Sequence, residues 1–498
     1  MKPQNELYPL KALGFAVLGF AVYSIYDSLS GIDFFLFLIA SIAVLSVAAV
    51  VCWEYLSKSG RERRRLGKFA KEVPSDLTQA SNNSVFMGVD QDMKISVFLP
   101  DSVRSKHVHI IGATGSGKTE SVILNFLRQD VERGFGSIIL DAKGDISFMS
   151  SLREWVPADK LKIFDLSSDI SLGYDPLEVG SPLEAAQRLF SSLTWSEEYY
   201  KSKAFAALQH LFEFHFGANS RNPKLNELLK YLSDPKVYAG TFEANLYSEK
   251  QLERDFVELS GLRDQLRILN SGYLSKILSP EVGSQIHLGD AENGGVMYFR
   301  LQSLLSPQLV SILGKLLINH LNFLAGTAHR AEGAATRSGL IPTYLDEFAS
   351  FACPEFADLI SKARSAGFAL HFSHQSIGDV AEVSQGFLSQ ITDNSATKIV
   401  LRINDPDSAD FFSRSFGTKL YQKVTQRVTN SHELDRAEVI GEGSQREAHQ
   451  YRSHPDLLKT LPTGMGSVLI AHGQDTPHGA STVFKIKFPK LERKENSK

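Results

Sequence analysis

The chain has few cysteines, no excess of charge of either sign and no evident internal repeat. Of its 498 residues only Cys52 and Cys353 are cysteines, and neither has a partner at metal-ligand spacing. Their scarcity excludes a disulfide framework and favours a reducing compartment for most of the chain. The net charge of −3 argues against an overall basic protein that coats nucleic acid, although a local basic channel would not show in this total.

Two apolar stretches open the sequence, Ala12–Ile25 and Phe34–Trp53. The second has no charged residue over twenty positions, enough to cross roughly 30 Å of hydrocarbon at about 1.5 Å per residue. A basic cluster follows between Lys58 and Lys71, and such residues are retained on the cytoplasmic side. We expect a two-helix anchor in a bacterial inner membrane over residues 1–57. A cleaved signal peptide is the alternative for the first stretch, but no cleavage motif is clear.

A glycine-rich loop carries the strongest local signal. The apolar segment Val108–Ile111 predicts a strand, and Glu120–Glu132 has the pattern of a helix. Between them the residues fit G-x-x-x-x-G-K-[ST], with Gly112, Gly115 and Gly117 followed by Lys118 and Thr119. Such a loop curls its N–H groups around phosphates, its lysine neutralises the β/γ-phosphates and its threonine binds Mg²⁺. The spacing predicts an ATP site.

The next strand signal, Gly136–Asp145, ends in a polar turn. Asp141, Lys143 and Asp145 follow its apolar residues, at the end where parallel sheets place ligands. A ligand-facing turn and a plain solvated turn are equally supported.

A phosphate-binding loop also needs a second strand whose carboxyl end supplies acidic residues, and Leu340–Glu347 provides such a strand. Asp346 and Glu347 end this strand pattern, so Asp346 is expected to hold the magnesium shell and Glu347 to activate the attacking water. Pro342 interrupts the apolar run and is tolerable only near the start or at an edge of a strand. A strand followed by two acids is a weak pattern that depends on its surroundings.

Those surroundings are a helix pattern ending near Arg364 and an apolar strand that leads to Gln375. Gln375 is placed to contact a γ-phosphate or the attacking water, and Arg364 is a candidate transition-state cation. No third metal ligand is apparent at a suitable spacing from His371 and His374, which favours ordinary core or surface histidines over a metal site.

The long segment between Lys118 and Asp346 implies an insertion, and its helical periodicity predicts an all-α domain. The predicted division is residues 1–57 for the anchor, 58–180 and 291–489 for two parts of an α/β nucleotide-binding domain, 181–290 for the all-α insertion, and 490–498 for a charged tail. The segment Arg427–Gln450 is polar and is expected to be a surface element.

The motifs GATGSGKT, DAKGD, LDEFAS, KARSAG and SHQS, together with the predicted anchor and insertion, resemble the coupling proteins of conjugative type IV secretion, of TraD/TraG type. The resemblance extends to about residue 472. It implies a RecA-like P-loop core, ATP with Mg²⁺, and a homo-hexamer that passes relaxase-bound single-stranded DNA to the secretion channel. By position it makes Lys118, Glu347, Arg364 and Gln375 catalytic residues, with Arg364 reaching a neighbour's site.

Two other functions stay open. A septal double-stranded DNA translocase of FtsK type shares the chemistry, but its extra membrane passes and terminal winged-helix reader are not visible. A coupling ATPase that recruits protein substrates shares every motif, because Lys118, Glu347 and Gln375 indicate turnover and do not identify the cargo.

Overall fold

The computed structural model describes Ser46 and residues 73–243, 247–281, 283–330, 339–430, 437–473 and 481–490. The predicted anchor, apart from Ser46, the basic cluster after it, the polar loop Ala331–Ser338 and the tail beyond Lys490 lie outside these residues.

Eleven strands of the described residues form one mixed sheet, in the order β2-β1-β13-β12-β9-β3-β8-β7-β4-β6-β5, and β10 pairs only with β11. The strands are β1 Ser84–Asp90, β2 Ser96–Pro100, β3 Val108–Ile111, β4 Ser137–Asp141, β5 Leu161–Asp165, β6 Val296–Arg300, β7 Ile341–Asp346, β8 Phe368–His374, β9 Thr397–Val400, β10 Thr418–Asn430, β11 Ala437–Tyr451, β12 Met465–Ala471 and β13 Ser481–Lys487.

The α-helices surround this sheet. They are α1 Asp101–Arg104, α2 Leu124–Glu132, α3 Ile146–Trp155, α4 Pro182–Ser192, α5 Glu198–Asn219, α6 Leu225–Tyr231, α7 Pro235–Ala239, α8 Glu249–Glu258, α9 Ser260–Leu269, α10 Leu274–Leu278, α11 Pro307–Arg330, α12 Glu355–Lys362, α13 Ile377–Ala381, α14 Gln385–Asp393, α15 Pro406–Phe416 and α16 Pro455–Thr460. A π-helical segment, Lys118–Ile123, precedes α2.

The seven strands from β9 to β5 pair in parallel, whereas β12, β13, β1 and β2 add an antiparallel edge. Every residue of β3, β4, β7, β8 and β9 is buried, because helices cover both faces of a parallel sheet. This burial explains why apolar residues dominate β3, β4, β7 and β8 in the sequence. The predicted α/β core is confirmed.

Pro342 is the second residue of β7, and it removes little of the hydrogen bonding of this strand. Pairing of β7 with β4 begins one residue later, at Thr343, while Pro342 lies opposite Ala369 of β8. A proline near the start of a strand removes little of the ladder. The central position of β7 in the sheet is therefore compatible with this residue.

The segment between β5 and β6 is predominantly helical in its described part, α4 to α10, as the periodicity predicts. Its apolar side chains join the same core as β4 and β6: Leu189, Leu211 and Leu266 belong to one cluster with Leu140 and Phe299. The helices thus share one hydrophobic core with the sheet that carries the nucleotide motifs. The predicted domain limits stay predictions.

Helix α11 is the one helix of the described residues that is long and apolar enough to cross a membrane. Its Val310, Leu313, Leu317 and Leu321 are buried in the main core. This packing accounts for its apolar character as a core helix.

The polar segment Arg427–Gln450 contributes to a long antiparallel hairpin, because β10 and β11 pair from Thr418 opposite Tyr451 to Asn430 opposite Ala437. The sequence predicts a surface element here but not its strands, since polar strands lack the apolar alternation that identifies a sheet face.

Candidate nucleotide-binding site

The glycine-rich loop follows β3 directly. Gly115 and Gly117 have φ values of 73° and 101°, which side chains other than glycine rarely adopt. Buried Lys118 donates from Nζ to the carbonyl oxygen of Gly112 over 2.5 Å, so its ammonium folds back across the loop. Burial lowers the pKa of Lys118, and the carboxylates of Glu347 and Asp346 oppose that shift.

The distant acidic strand meets the loop at a hydrogen bond. Thr119 donates from Oγ1 to Oδ2 of Asp346 over 2.7 Å, and Ser373 donates to Oδ1 over 2.5 Å. β7 and β3 are separated only by β8, so the carboxyl ends of the three strands lie side by side. A hydroxyl and a carboxylate at this spacing are the oxygen donors that Mg²⁺ prefers. Thr119 and Asp346 thus fit a shared magnesium shell.

Glu347 and Gln375 form a second contact beside the first. Gln375 donates from Nε2 to Oε1 of Glu347 over 2.7 Å, while its Oε1 accepts from Thr114 Oγ1 over 2.9 Å. One amide therefore joins the glycine-rich loop to the second acidic residue. Burial raises the pKa of Glu347, and the hydrogen bond from Gln375 and the charge of Lys118 lower it.

Glu347 itself has a left-handed backbone, with φ 53° and ψ 48°. Non-glycine residues seldom adopt this region, and such strain concentrates at functional sites. Its N–H donates to Asp346 Oδ1 over 3.1 Å. The turn places two consecutive carboxylates on different partners, Asp346 toward Thr119 and Glu347 toward Gln375.

Asp141 shapes the polar turn after β4. Its carboxylate accepts from the N–H groups of Gly144 and Asp145 over 2.8 and 3.0 Å, and from the hydroxyl of Tyr298 over 2.7 Å. Burial and the charge of Asp346 raise the pKa of Asp141 to about 6. The hydrogen bonds of the buried Asp141 carboxylate therefore stabilise the turn, and Asp141 is not a solvated residue.

A cavity of about 330 Å³ joins these groups. Its lining includes Gly117, Lys118, Thr119, Asp346, Glu347 and Gln375, together with Lys143 and Asp145 from the polar turn. The structure thus brings together residues from four strand ends. Thr114, Ser373 and Tyr298 were not predicted, because their partners lie far along the chain and no spacing rule signals them.

Arg364 is the one predicted site residue that lies elsewhere. It is exposed on the turn Ala363–Ala366, before β8 begins, whereas Gln375 follows the end of that strand. At about 3.3 Å per residue the strand separates them by roughly 20 Å. Arg364 therefore does not belong to the nucleotide site of its own chain.

The two histidines of β8 lie in the core. His371 accepts from Nε of Arg104 over 2.9 Å, and His374 pairs with His109 over 2.6 Å. Among the described residues no group of three or more metal-binding side chains occurs.

Two family models match the chain. The model described as the TraM recognition site of TraD and TraG matches residues 341–462, which contain Asp346, Glu347 and Gln375. The model described as the central domain of the helicase HerA matches residues 87–320, which contain the glycine-rich loop. The type 4 coupling protein DotL of Legionella pneumophila is 23% identical over 448 residues, which cover 75% of this chain. These matches support a type IV secretion coupling protein.

The chain spans 56% of the length of DotL. Solved structures share its fold. The conjugative coupling protein TrwB, lacking 70 N-terminal residues, has a TM-score of 0.59 at 16% identity and covers 84% of this chain and 92% of its own. VirB4 of Thermoanaerobacter pseudethanolicus has a TM-score of 0.55 at 15% identity, covering 83% and 98%. TrwB has also been solved with the ATP analogue ADPNP and with ADP and Mg²⁺.

Proposed function

We propose that the chain is a coupling protein, a magnesium-dependent ATPase that couples relaxase-bound single-stranded DNA to a type IV secretion channel. The observation that carries the proposal is the 2.7 Å hydrogen bond between Thr119 Oγ1 and Asp346 Oδ2, which joins the loop to the distant acidic strand. The ligands of the TrwB structures, ADPNP in one and ADP with Mg²⁺ in another, support ATP and Mg²⁺ as the cofactors here.

Each side chain has a role that follows from its place. Bound Mg²⁺·ATP supplies an activated γ-phosphate. Lys118 neutralises phosphate charge, while the loop amides and the start of the following helix bind phosphate oxygens. Thr119 and Asp346 provide metal-binding oxygens. Glu347 accepts the proton of the attacking water, and Gln375 orients this water. Their hydrogen bond holds both groups over the same cavity.

The wider assembly is also part of the proposal. A two-helix anchor over residues 1–57 holds the protein at the inner membrane, and the helical segment 181–290 forms an inserted domain on the nucleotide-binding core. The subunits form a homo-hexamer in which Arg364 completes a neighbour's site. Its exposure and its distance from its own site support this role.

The transported substrate, single-stranded DNA or protein, distinguishes the proposal from its nearest alternative. With the full chain in detergent, single-stranded DNA is expected to stimulate ATP hydrolysis more than duplex DNA does. The stimulation should weaken between about 50 and about 200 mM salt, because phosphate contacts release counterions. Absence of stimulation at low salt, with basal hydrolysis intact, would favour protein cargo, and preference for duplex DNA would favour an FtsK-type motor.

A further inference from the structure

A pair of buried histidines connects the glycine-rich loop to the strand end that carries Gln375. His109 lies in β3, three residues before Gly112, and His374 ends β8 directly before Gln375. Both side chains are fully or almost fully buried, and their Nε2 atoms are 2.6 Å apart. None of the roles assigned above uses either ring.

The direction of this hydrogen bond follows from its neighbours. Nδ1 of His374 lies 2.7 Å from the carbonyl oxygen of Ser376, which only accepts, so Nδ1 carries the proton. In neutral His374 the other nitrogen, Nε2, is then an acceptor, and Nε2–H of His109 is its donor. Nδ1 of His109 has no hydrogen-bond partner among the described residues, as a nitrogen without a proton permits. Burial lowers the pKa of both rings, which keeps them neutral.

The contact with Ser376 spans Gln375. His374 and Ser376 are its two chain neighbours, so the ring holds the backbone on both sides of Gln375 in one turn. Ser376 also begins α13 with a capping box to Asp379. From the β3 side, the Gly112 N–H donates to the His374 carbonyl oxygen over 3.3 Å. The glutamine is thereby fixed relative to the loop.

Further packing holds the donor ring. His109 stacks on Phe372 at 4.6 Å between ring centroids and meets the edge of Phe412 at 5.5 Å. A well-packed ring has few alternative rotamers, so its Nε2–H stays directed at His374. A buried acceptor that loses its donor is costly, and a change at His109 would therefore be transmitted to His374.

We propose that His109 and His374 are positioning residues that hold the Gln375 amide between Thr114 and Glu347. The pair acts through Gln375 and does not touch nucleotide. This inference rests on the proposed ATPase function. It predicts that the histidines influence the chemical step and leave ATP binding unchanged. The reason is that neither ring forms a hydrogen bond with the loop residues that are proposed to hold phosphate.

Two substitutions of His109 in the full chain separate a positioning role from a structural one. His109→Leu fills the buried position with an apolar side chain but removes the donor, so kcat should fall roughly 10- to 100-fold, the cost of a small misplacement of a reacting group. KM for ATP should stay unchanged, since an interaction used only in the chemical step affects kcat alone. His109→Gln, whose Nε2 amide donates from a similar distance, should restore most of the kcat.

The same substitution in a Gln375→Ala background gives the decisive comparison. If the pair acts through Gln375, His109→Leu causes no further loss of kcat there. An equal further loss in that background, or a rise in KM with kcat unchanged, overturns the inference. If His109→Leu does not fold, His374→Asn replaces it, because the amide retains a donor toward Ser376 but its shorter side chain does not extend to the position of Nε2 that accepts from His109. Absence of ATP hydrolysis in the unsubstituted chain would instead contradict the proposed function.

Discussion

Glu347 has the environment that a general base requires. A carboxylate with an unshifted pKa binds protons weakly, and burial makes Glu347 a stronger base by raising its pKa. Gln375 and Lys118 oppose this effect, because each favours the charged form of the carboxylate. Its activity therefore depends on the balance between burial and one hydrogen bond.

The acidic limb of the pH–rate profile should report the pKa of Glu347, which this balance sets. The deprotonated carboxylate is the active form, so kcat/KM for ATP should rise with pH through the pKa of Glu347, above its ordinary value of 4.5. Gln375→Ala removes a bond that lowers this pKa, and the limb should move to higher pH as the rate falls. Steady-state hydrolysis between pH 4.5 and 8 measures it. A limb that does not move in Gln375→Ala would contradict the assignment.

The sequence predicts individual site residues well where a motif fixes both residue type and spacing. Lys118 and Thr119 are of this kind, Asp346 and Glu347 follow a weaker pattern, and all four line one cavity. Ser373 could not be predicted, because its role depends on β8 lying beside β7.

At the scale of elements, burial decides what the sequence can predict. The central parallel strands β3, β4 and β8 are buried on both faces and are rich in apolar residues. The antiparallel edge strands β1 and β2 alternate less clearly, and no sequence pattern specifies the pairing of β1 with β2 and β13. The hairpin of β10 and β11 is polar, so pairing geometry defines it and side-chain periodicity does not.

The turn after β4 is an element with a strict backbone requirement. Gly144 has φ 70°, and a Cβ there would lie 2.4 Å from Cγ of Gln302. Its carbonyl oxygen also accepts from Nε of Arg300 over 2.9 Å. Because Lys143 of this turn lines the cavity, displacement of the turn would alter the nucleotide site.

Gly144→Ala should therefore both destabilise the protein and raise KM for ATP. Gly134→Ala is the matched control, since Gly134 has φ 83° but no neighbour within 4 Å of the new Cβ. The control should cost about 1–2 kcal/mol of backbone strain. Gly144→Ala should add about 1–3 kcal/mol for the overpacked contact. Urea unfolding and ATP titration measure both effects. Equal loss of stability in the two variants would show that the Gln302 contact is unimportant.

At the scale of the whole molecule, the nucleotide residues and Arg364 lie at opposite ends of β8. One subunit therefore supplies the loop, the acidic pair and the glutamine but not this arginine. If an arginine from a neighbour completes the site, as proposed, hydrolysis requires the association of subunits.

Mixed assemblies test this role of Arg364. If each site takes Arg364 from its neighbour, Arg364→Ala subunits should retain ATP binding yet reduce the hydrolysis of wild-type partners below simple dilution. Lys362→Ala is the control, because Lys362 is an exposed cation on the same segment, 3.7 Å from Asp358. ATPase activity is measured across mixing ratios at constant total protein. Activity proportional to the wild-type fraction in the Arg364→Ala series would exclude the trans role.

The central claim is that the glycine-rich loop and the Asp346–Glu347 pair form one ATP-hydrolysing site. Its most direct measurement compares Mg²⁺-dependent ATP binding and turnover in the wild-type chain and in Glu347→Gln. The account predicts equal ATP affinity and hydrolysis slower by about 10²–10⁴-fold in Glu347→Gln, the usual contribution of a positioned base. Unchanged turnover in that variant would contradict the claim.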